Sequence, residues 1–233
     1  SNVRYVDLPD FTRRYSSSQL FDWRFYFISQ MGINPKLASD FSCWFEDRLR
    51  EISLCRKKCL VLDLDNTLWG GVLGEDGIDG IKIGGDYPGK AFLYFQEGLL
   101  ELAKRGVILT ICSKNNERDV LDLWEKNPFV LLRKEHFSAW RINWRNKADN
   151  IRELSEELNI GLDSLVFVDD NPTERELVRQ MLPMVEVPEF PKQSYMLPDF
   201  LISLSDRYFR VYSVTEEDRR KTEQYKANAS RTQ

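Results

Sequence analysis

Two carboxylates two residues apart, Asp63 and Asp65, close an apolar run, and Thr67 follows them. Residues 59–64 have the length and the Leu/Val content of a short buried strand. Side chains alternate along a strand, so Asp63 and Asp65 lean toward the same face where it runs out. Two like charges there are costly unless a cation or a shared proton relieves them. The bland alternative is an acidic pair at a surface turn. The apolar run argues instead for a central strand, which would deliver the pair to the carboxyl edge of a sheet, where open α/β folds bind ligands.

Further candidates follow in order. Residues 107–112 form a second apolar run ending in Ser113 and Lys114, and residues 164–168 a third, ending in Asp169 and Asp170. Between them, Asn143-Trp144-Arg145-Asn146-Lys147 opens an amphipathic helical pattern that runs through Leu158, with Lys147 at the helix start. This set suits phosphoryl transfer, which needs an in-line nucleophile, charge neutralisation and a proton for the leaving group. Asp63 is the expected nucleophile, forming an aspartyl-phosphate. Asp65 would protonate the leaving group and later take a proton from water, which requires environments that push the two pKa values apart. A hard divalent cation with oxygen ligands, Mg²⁺, would stabilise ionised Asp63, with Asp169 and Asp170 completing its cage. Ser113 or Thr67 would hydrogen-bond a phosphoryl oxygen, and Lys147 would supply the opposing positive charge. With Asn66 and Lys114, these make the candidate phosphate-binding set. Ser113 could also cap the helix that opens at residues 116–118, and Asp169–Pro172 could be a plain turn before a helix.

Motif by motif, residues 58–188 resemble the haloacid dehalogenase (HAD) superfamily of phosphatases and phosphotransferases. The strings Asp63-Leu64-Asp65-Asn66-Thr67-Leu68-Trp69-Gly70-Gly71, Cys112-Ser113-Lys114-Asn115-Asn116, Arg141-Ile142-Asn143-Trp144 and Val168-Asp169-Asp170-Asn171-Pro172-Thr173-Glu174-Arg175-Glu176 are similar to its FkbH-like, or type IIIC phosphatase, branch. The resemblance implies a Rossmann-like three-layer α/β core with a parallel sheet. It also implies that Asp65 gives the metal its backbone carbonyl rather than its carboxylate. Some members of the branch are similar to bifunctional enzymes that take a glyceryl group from 1,3-bisphosphoglycerate, release its phosphate and load an acyl carrier protein. That transfer needs a thiol; Cys59 and Cys112 lie nearest the motifs, and both suit the strand core. Two other classes were weighed. In a receiver-type module the Lys follows the other motifs, whereas Lys147 precedes the last acidic pair. A non-catalytic phosphate-binding module would be expected to have lost a catalytic position, and each is filled.

The elements that must position these residues fall into three parts. Residues 1–56 carry two aromatic-rich helical patterns, about 18–30 and 36–54, expected to be the remnant of an upstream domain. Residues 57–190 alternate strand and helix as the catalytic domain. Within it, residues 69–86 hold seven glycines without Walker or dinucleotide spacing, and are expected to form a β-hairpin flap over the site. No connection is long enough for a large cap, so an open site is expected, suited to an acyl phosphate or a protein-bound phosphorylated group. Residues 191–233 are expected to be a linker to a further domain, with a polar helix from Thr215 to Ala229. A net charge of −4 argues against a nucleic-acid partner, and no apolar run is long enough to span a membrane. The four cysteines form no paired framework, which points to reduced thiols in a cytoplasmic setting. His136, the only histidine, is expected to be structural.

Overall fold

The structure is a computed structural model that describes residues 6–52 and 57–209; the helix expected from Thr215 to Ala229 lies outside them. The chain divides into two compact units, Ser1–Arg56 and Lys57–Gln233.

The first unit holds α1 (Leu8–Thr12), α2 (Ser17–Leu20), α3 (Trp23–Ser29) and α4 (Ala38–Ile52). Its core is aromatic. Buried Phe11 meets Tyr15, Phe41 and Trp44 with ring centroids 5.2–5.4 Å apart, and Trp44 Nε1 donates to Asp10. The helical pattern expected over residues 18–30 divides into two short helices, because Phe21 and Asp22 are extended and Asp22 caps α3 through the Arg24 N–H.

The second unit runs β1 (Cys59–Leu62), α5 (Leu73–Gly80), α6 (Gly89–Lys104), β2 (Ile108–Ser113), α7 (Glu117–Lys126), β3 (Ala139–Ile142), α8 (Lys147–Leu158), β4 (Leu165–Val168), α9 (Pro172–Met181) and α10 (Leu197–Leu204). The strands form one parallel sheet in the order β3-β2-β1-β4. Strand alternation divides it into two cores. Leu60, Leu62, Leu109, Ile111, Val166 and Val168 pack toward α6, α7 and α10, whereas Cys59, Val61, Ile108, Leu165 and Phe167 pack toward α8 and α9. This is the expected three-layer α/β core. Leu62 pairs with Ile111 on one side and Val168 on the other. The register therefore brings the ends of β1 and β4 together, beside the point where the strand order reverses.

Two elements differ from expectation. The glycine-rich segment is not a hairpin: a single antiparallel bridge, Gly70 to Lys82, closes a loop that carries α5. Leu73, at the start of α5, and Ile81, in the extended residue just past it, turn into the core, and the helix is kinked between them at Gly77, φ 69° and ψ 177°. Gly71, at φ 97°, makes the turn; a Cβ there would come within 2.5 Å of Asp76 Oδ2. The fourth strand, β3, is an edge strand that buries only its two ends, so it lacks the continuous apolar run that marks the other three. His136 accepts the Arg133 N–H through Nδ1, a structural role. No helix among the described residues is long and apolar enough to cross a membrane.

One buried amide fastens the loop after β1. Gln96 of α6, fully buried, donates to the Leu68 carbonyl at 2.8 Å and accepts the N–H groups of Leu131 and Leu132 at 2.9 Å each. Gln96→Leu leaves all three backbone groups without this partner, so it should lower unfolding stability by roughly 2–4 kcal/mol. Urea denaturation measures this, and a change within error would contradict the assignment.

Candidate active site

Asp63 is the first residue past the central strand. Its backbone N–H still donates to the Val168 carbonyl at 2.9 Å, which holds the residue in the ladder while its side chain leaves the sheet edge. Lys147 opens α8, where Asn146 caps the helix by accepting the Ala148 N–H. An ammonium in a first helical turn is unfavourable against the helix dipole. Here two carboxylates offset that cost: Nζ lies 2.8 Å from Asp63 Oδ1 and 2.5 Å from Asp169 Oδ2. Burial alone would lower the Lys147 pKa, but the charges of Asp63 and Asp169 outweigh it and hold the ammonium well above its ordinary range.

Asp63, Asp169 and Asp170 each present a carboxylate oxygen, and these lie within 4.8 Å of one another. Burial, with the Asp63 charge second, pushes Asp169 upward, and the pull of Lys147 does not cancel it. Burial and the charges of Asp63 and Asp169 likewise push Asp170 up to about 6. Three hard oxygen donors in one buried cluster, with a single ammonium to compensate, fit a hard divalent cation. The Asp65 carboxylate lies outside this cluster.

The Asp65 carboxyl is held separately. Oδ1 accepts from Trp69 Nε1 (3.0 Å) and the Leu73 N–H (3.1 Å), and Oδ2 accepts from Asn115 Nδ2 (2.8 Å). Burial still moves its pKa upward against these bonds. Asp63 therefore faces an ammonium, whereas the Asp65 carboxyl sits apart in a partly buried cradle of three donors.

Thr67, fully buried, accepts the Asp170 N–H at 3.2 Å and so ties the loop after β1 to the loop after β4. Ser113 is the last residue of β2 and does not cap α7, whose cap position is Asn116. The Ser113 hydroxyl has no hydrogen-bond partner among the described residues. Lys114 and Asn66 are engaged elsewhere: Lys114 pairs with Glu174 at 2.6 Å, and Asn66, at φ 53°, accepts the Gly71 N–H through its side chain.

Sequence reasoning did not single out Arg175. It is 6% exposed, and its Nη1 donates to the carbonyls of Asp169 (2.8 Å) and Asp170 (2.7 Å) while Nη2 pairs with Glu189 at 3.0 Å. One guanidinium thus fixes the backbone that aims both carboxylates. A signal was available: Arg175 shares a helical face with buried Val178 and Leu182, a charge within an apolar stripe.

A family model described as NLI interacting factor-like phosphatase matches residues 58–208. Among solved structures, the chain is 40% identical to the N-terminal part of a Bacteroides fragilis protein that contains a phosphatase domain and is complexed with Mg. That match has a TM-score of 0.76 and covers 88% of this chain and 55% of that one, so this chain spans about half its length. The HAD domain of the effector protein Lem4 from Legionella pneumophila is similar in fold, at 15% identity and a TM-score of 0.50, with 68% of this chain and all of that domain covered. No curated protein matches the chain.

Two outcomes follow from this geometry. Arg175→Met should weaken divalent-cation affinity about 10- to 100-fold; calorimetric titration showing wild-type affinity would remove Arg175 from the site. The second concerns pH. A raised carboxyl pKa means that the native state holds protons which the unfolded chain, near its ordinary 3.8, has released. The cation-free protein should therefore lose stability as pH rises from about 4 toward 6. Protons and cation compete for the same oxygens, so cation affinity should be highest above pH 6 and fall below it. Calorimetry across this range in buffers of differing ionisation enthalpy should detect protons released on binding near pH 6.

Proposed function

The chain belongs to the NLI interacting factor-like phosphatase family within the HAD superfamily, and from that premise we propose that it hydrolyses phosphate monoesters through an aspartyl-phosphate on Asp63, with Mg²⁺ as cofactor. The observation that carries the proposal is the contrast between the two carboxylates on the β1 loop. Asp63 lies 2.8 Å from the buried Lys147 ammonium and within the three-carboxylate cluster. Asp65 is held apart by Trp69, Leu73 and Asn115 with a raised pKa.

Asp63 attacks phosphorus and the bond to the ester oxygen breaks; Asp65 delivers its proton to that oxygen. Asp65, now ionised, takes a proton from water, whose oxygen attacks the aspartyl-phosphate, releasing inorganic phosphate and restoring Asp63. Lys147 holds Asp63 in place and offsets the charge that gathers on the phosphoryl oxygens, to which the unpartnered Ser113 hydroxyl can donate. When bound, Mg²⁺ supplies the charge neutralisation that lets an anionic nucleophile approach an anionic phosphate. Asp63 and Asp170 would hold it through their carboxylates and Asp65 through its carbonyl. Asp169 is the less suited of the acidic pair, since its oxygens already meet Lys147 and the Asn171 N–H. Among the described residues, the Asp170 carboxylate accepts only from its own backbone.

The FkbH-like strings support a finer placement, with glyceryl transfer to a carrier protein as its further activity. The two buried thiols argue against this domain as the acyl carrier in that transfer. Cys59 and Cys112 are fully buried, and burial pushes each up to about 12, so neither yields an accessible thiolate. Hydrolysis is the activity for which the described residues suffice.

Asp63→Asn should lower turnover by about a thousandfold or more. Asp65→Asn should slow turnover of every substrate, since water activation is lost, but its first step should separate substrates by leaving group: a burst of p-nitrophenol should persist while phosphoenzyme formation from an alkyl phosphate falls about 10²- to 10⁴-fold. Pre-steady-state kinetics on both substrates decide this. Equal losses in that first step would remove the acid role, and an active Asp63→Asn enzyme would remove the covalent intermediate.

A further inference from the structure

A cavity of about 560 Å³ adjoins the carboxylate cluster, with Asp170 and Asn66 among its lining residues. Its other walls come from α6, α10 and the segment between α9 and α10. Partly buried Phe190 and an edge of Phe92 provide apolar surface, with Leu197 packed behind them, and Lys192 provides a cation. The charges here are unevenly matched. Glu189 also lines the cavity, but its two oxygens are taken by Arg175 and Arg179, and Arg175 is in turn bound to the carbonyls of Asp169 and Asp170. The wall that carries Glu189 is thereby pinned to the loop that aims the acidic pair, which makes the cavity a preformed feature. Lys192 is exposed and has no ion pair among the described residues.

A preformed pocket with apolar walls and a few convergent polar groups is how proteins bind small molecules. We propose that this cavity receives the leaving group, and that its substrates are phosphate monoesters in which an apolar segment separates the phosphate from a second anionic group held by Lys192. The proposal rests on the phosphatase reading above, because it takes the carboxylate cluster as the place of the phosphate. Phosphate at the cluster, an apolar body against Phe190 and Phe92, and a terminal anion at Lys192 satisfy these parts of the lining. A short, polar phosphate ester would leave the apolar walls wet and the ammonium unused.

Non-hydrolysable probes test this without turnover. A series of ω-carboxyalkylphosphonates of increasing chain length, and alkylphosphonates of equal length, are titrated calorimetrically into the Mg²⁺-loaded protein. At the length that spans the cavity, the carboxylate should tighten binding about three- to tenfold. Lys192→Ala should abolish that difference and Lys192→Arg should keep it. Phe190→Ala should weaken the two series alike. No binding by any member, equal affinity of both series at every length, or a difference that survives Lys192→Ala overturns the proposal. Turnover of p-nitrophenyl phosphate, measured separately on wild type and Asp63→Asn, reports on the hydrolytic reading. A protein that discriminates the phosphonates but does not turn over would keep the pocket and lose the chemistry; the reverse would keep the chemistry and lose the pocket.

Discussion

Three carboxylates with oxygens inside 4.8 Å of one another share one ammonium. Ionised together, Asp63, Asp169, Asp170 and Lys147 leave buried negative charge that Coulomb repulsion would disperse. The surrounding structure works against that dispersal. The β1–β4 register sets two of the carboxylates side by side, and the N-terminus of α8 brings Lys147 between them despite the helix dipole. Thr67 ties the two loops together, and Arg175 grips the carbonyls behind the acidic pair. What these contacts do not supply is the remaining positive charge, a deficit that a divalent cation would make good.

The legible parts of the molecule were those in which one physical effect dominated. Strands β1, β2 and β4 are buried on both faces and read as continuous apolar runs, so their boundaries fall within two residues of expectation. Helix α8 was legible from its apolar spacing, and the structure adds Asn146 as its cap. β3 was not, since Trp140 and Arg141 are half-buried and leave no run to find. The flap was misread because glycine abundance speaks for turns, while the burial of Leu73 and Ile81 that folds the segment back depends on a core built elsewhere in the chain.

The site shows the same division. Asp63, Lys147 and Asp169 were identified by type and order, and the structure brings them into contact. Asn115 and Trp69, which hold the Asp65 carboxyl, were visible only as members of motif strings. Contacts that join loops fifty or a hundred residues apart leave no local pattern. The side-chain partners of Lys114 and Asn66, Glu174 and the Gly71 N–H, were likewise not legible from their motifs.

The position of β1 bears on how the molecule is made. Its partner β2 begins at Ile108, but its other neighbour begins only at Leu165. A ribosome that has released β1 through β3 would present a central strand of Cys59, Leu60, Val61 and Leu62 with one edge open, an apolar and unpaired template for association with other chains. Loop closure across that separation is slow relative to local folding. The catalytic centre is therefore among the last parts to assemble, and the interval before β4 arrives is when the nascent chain depends most on protection of that edge.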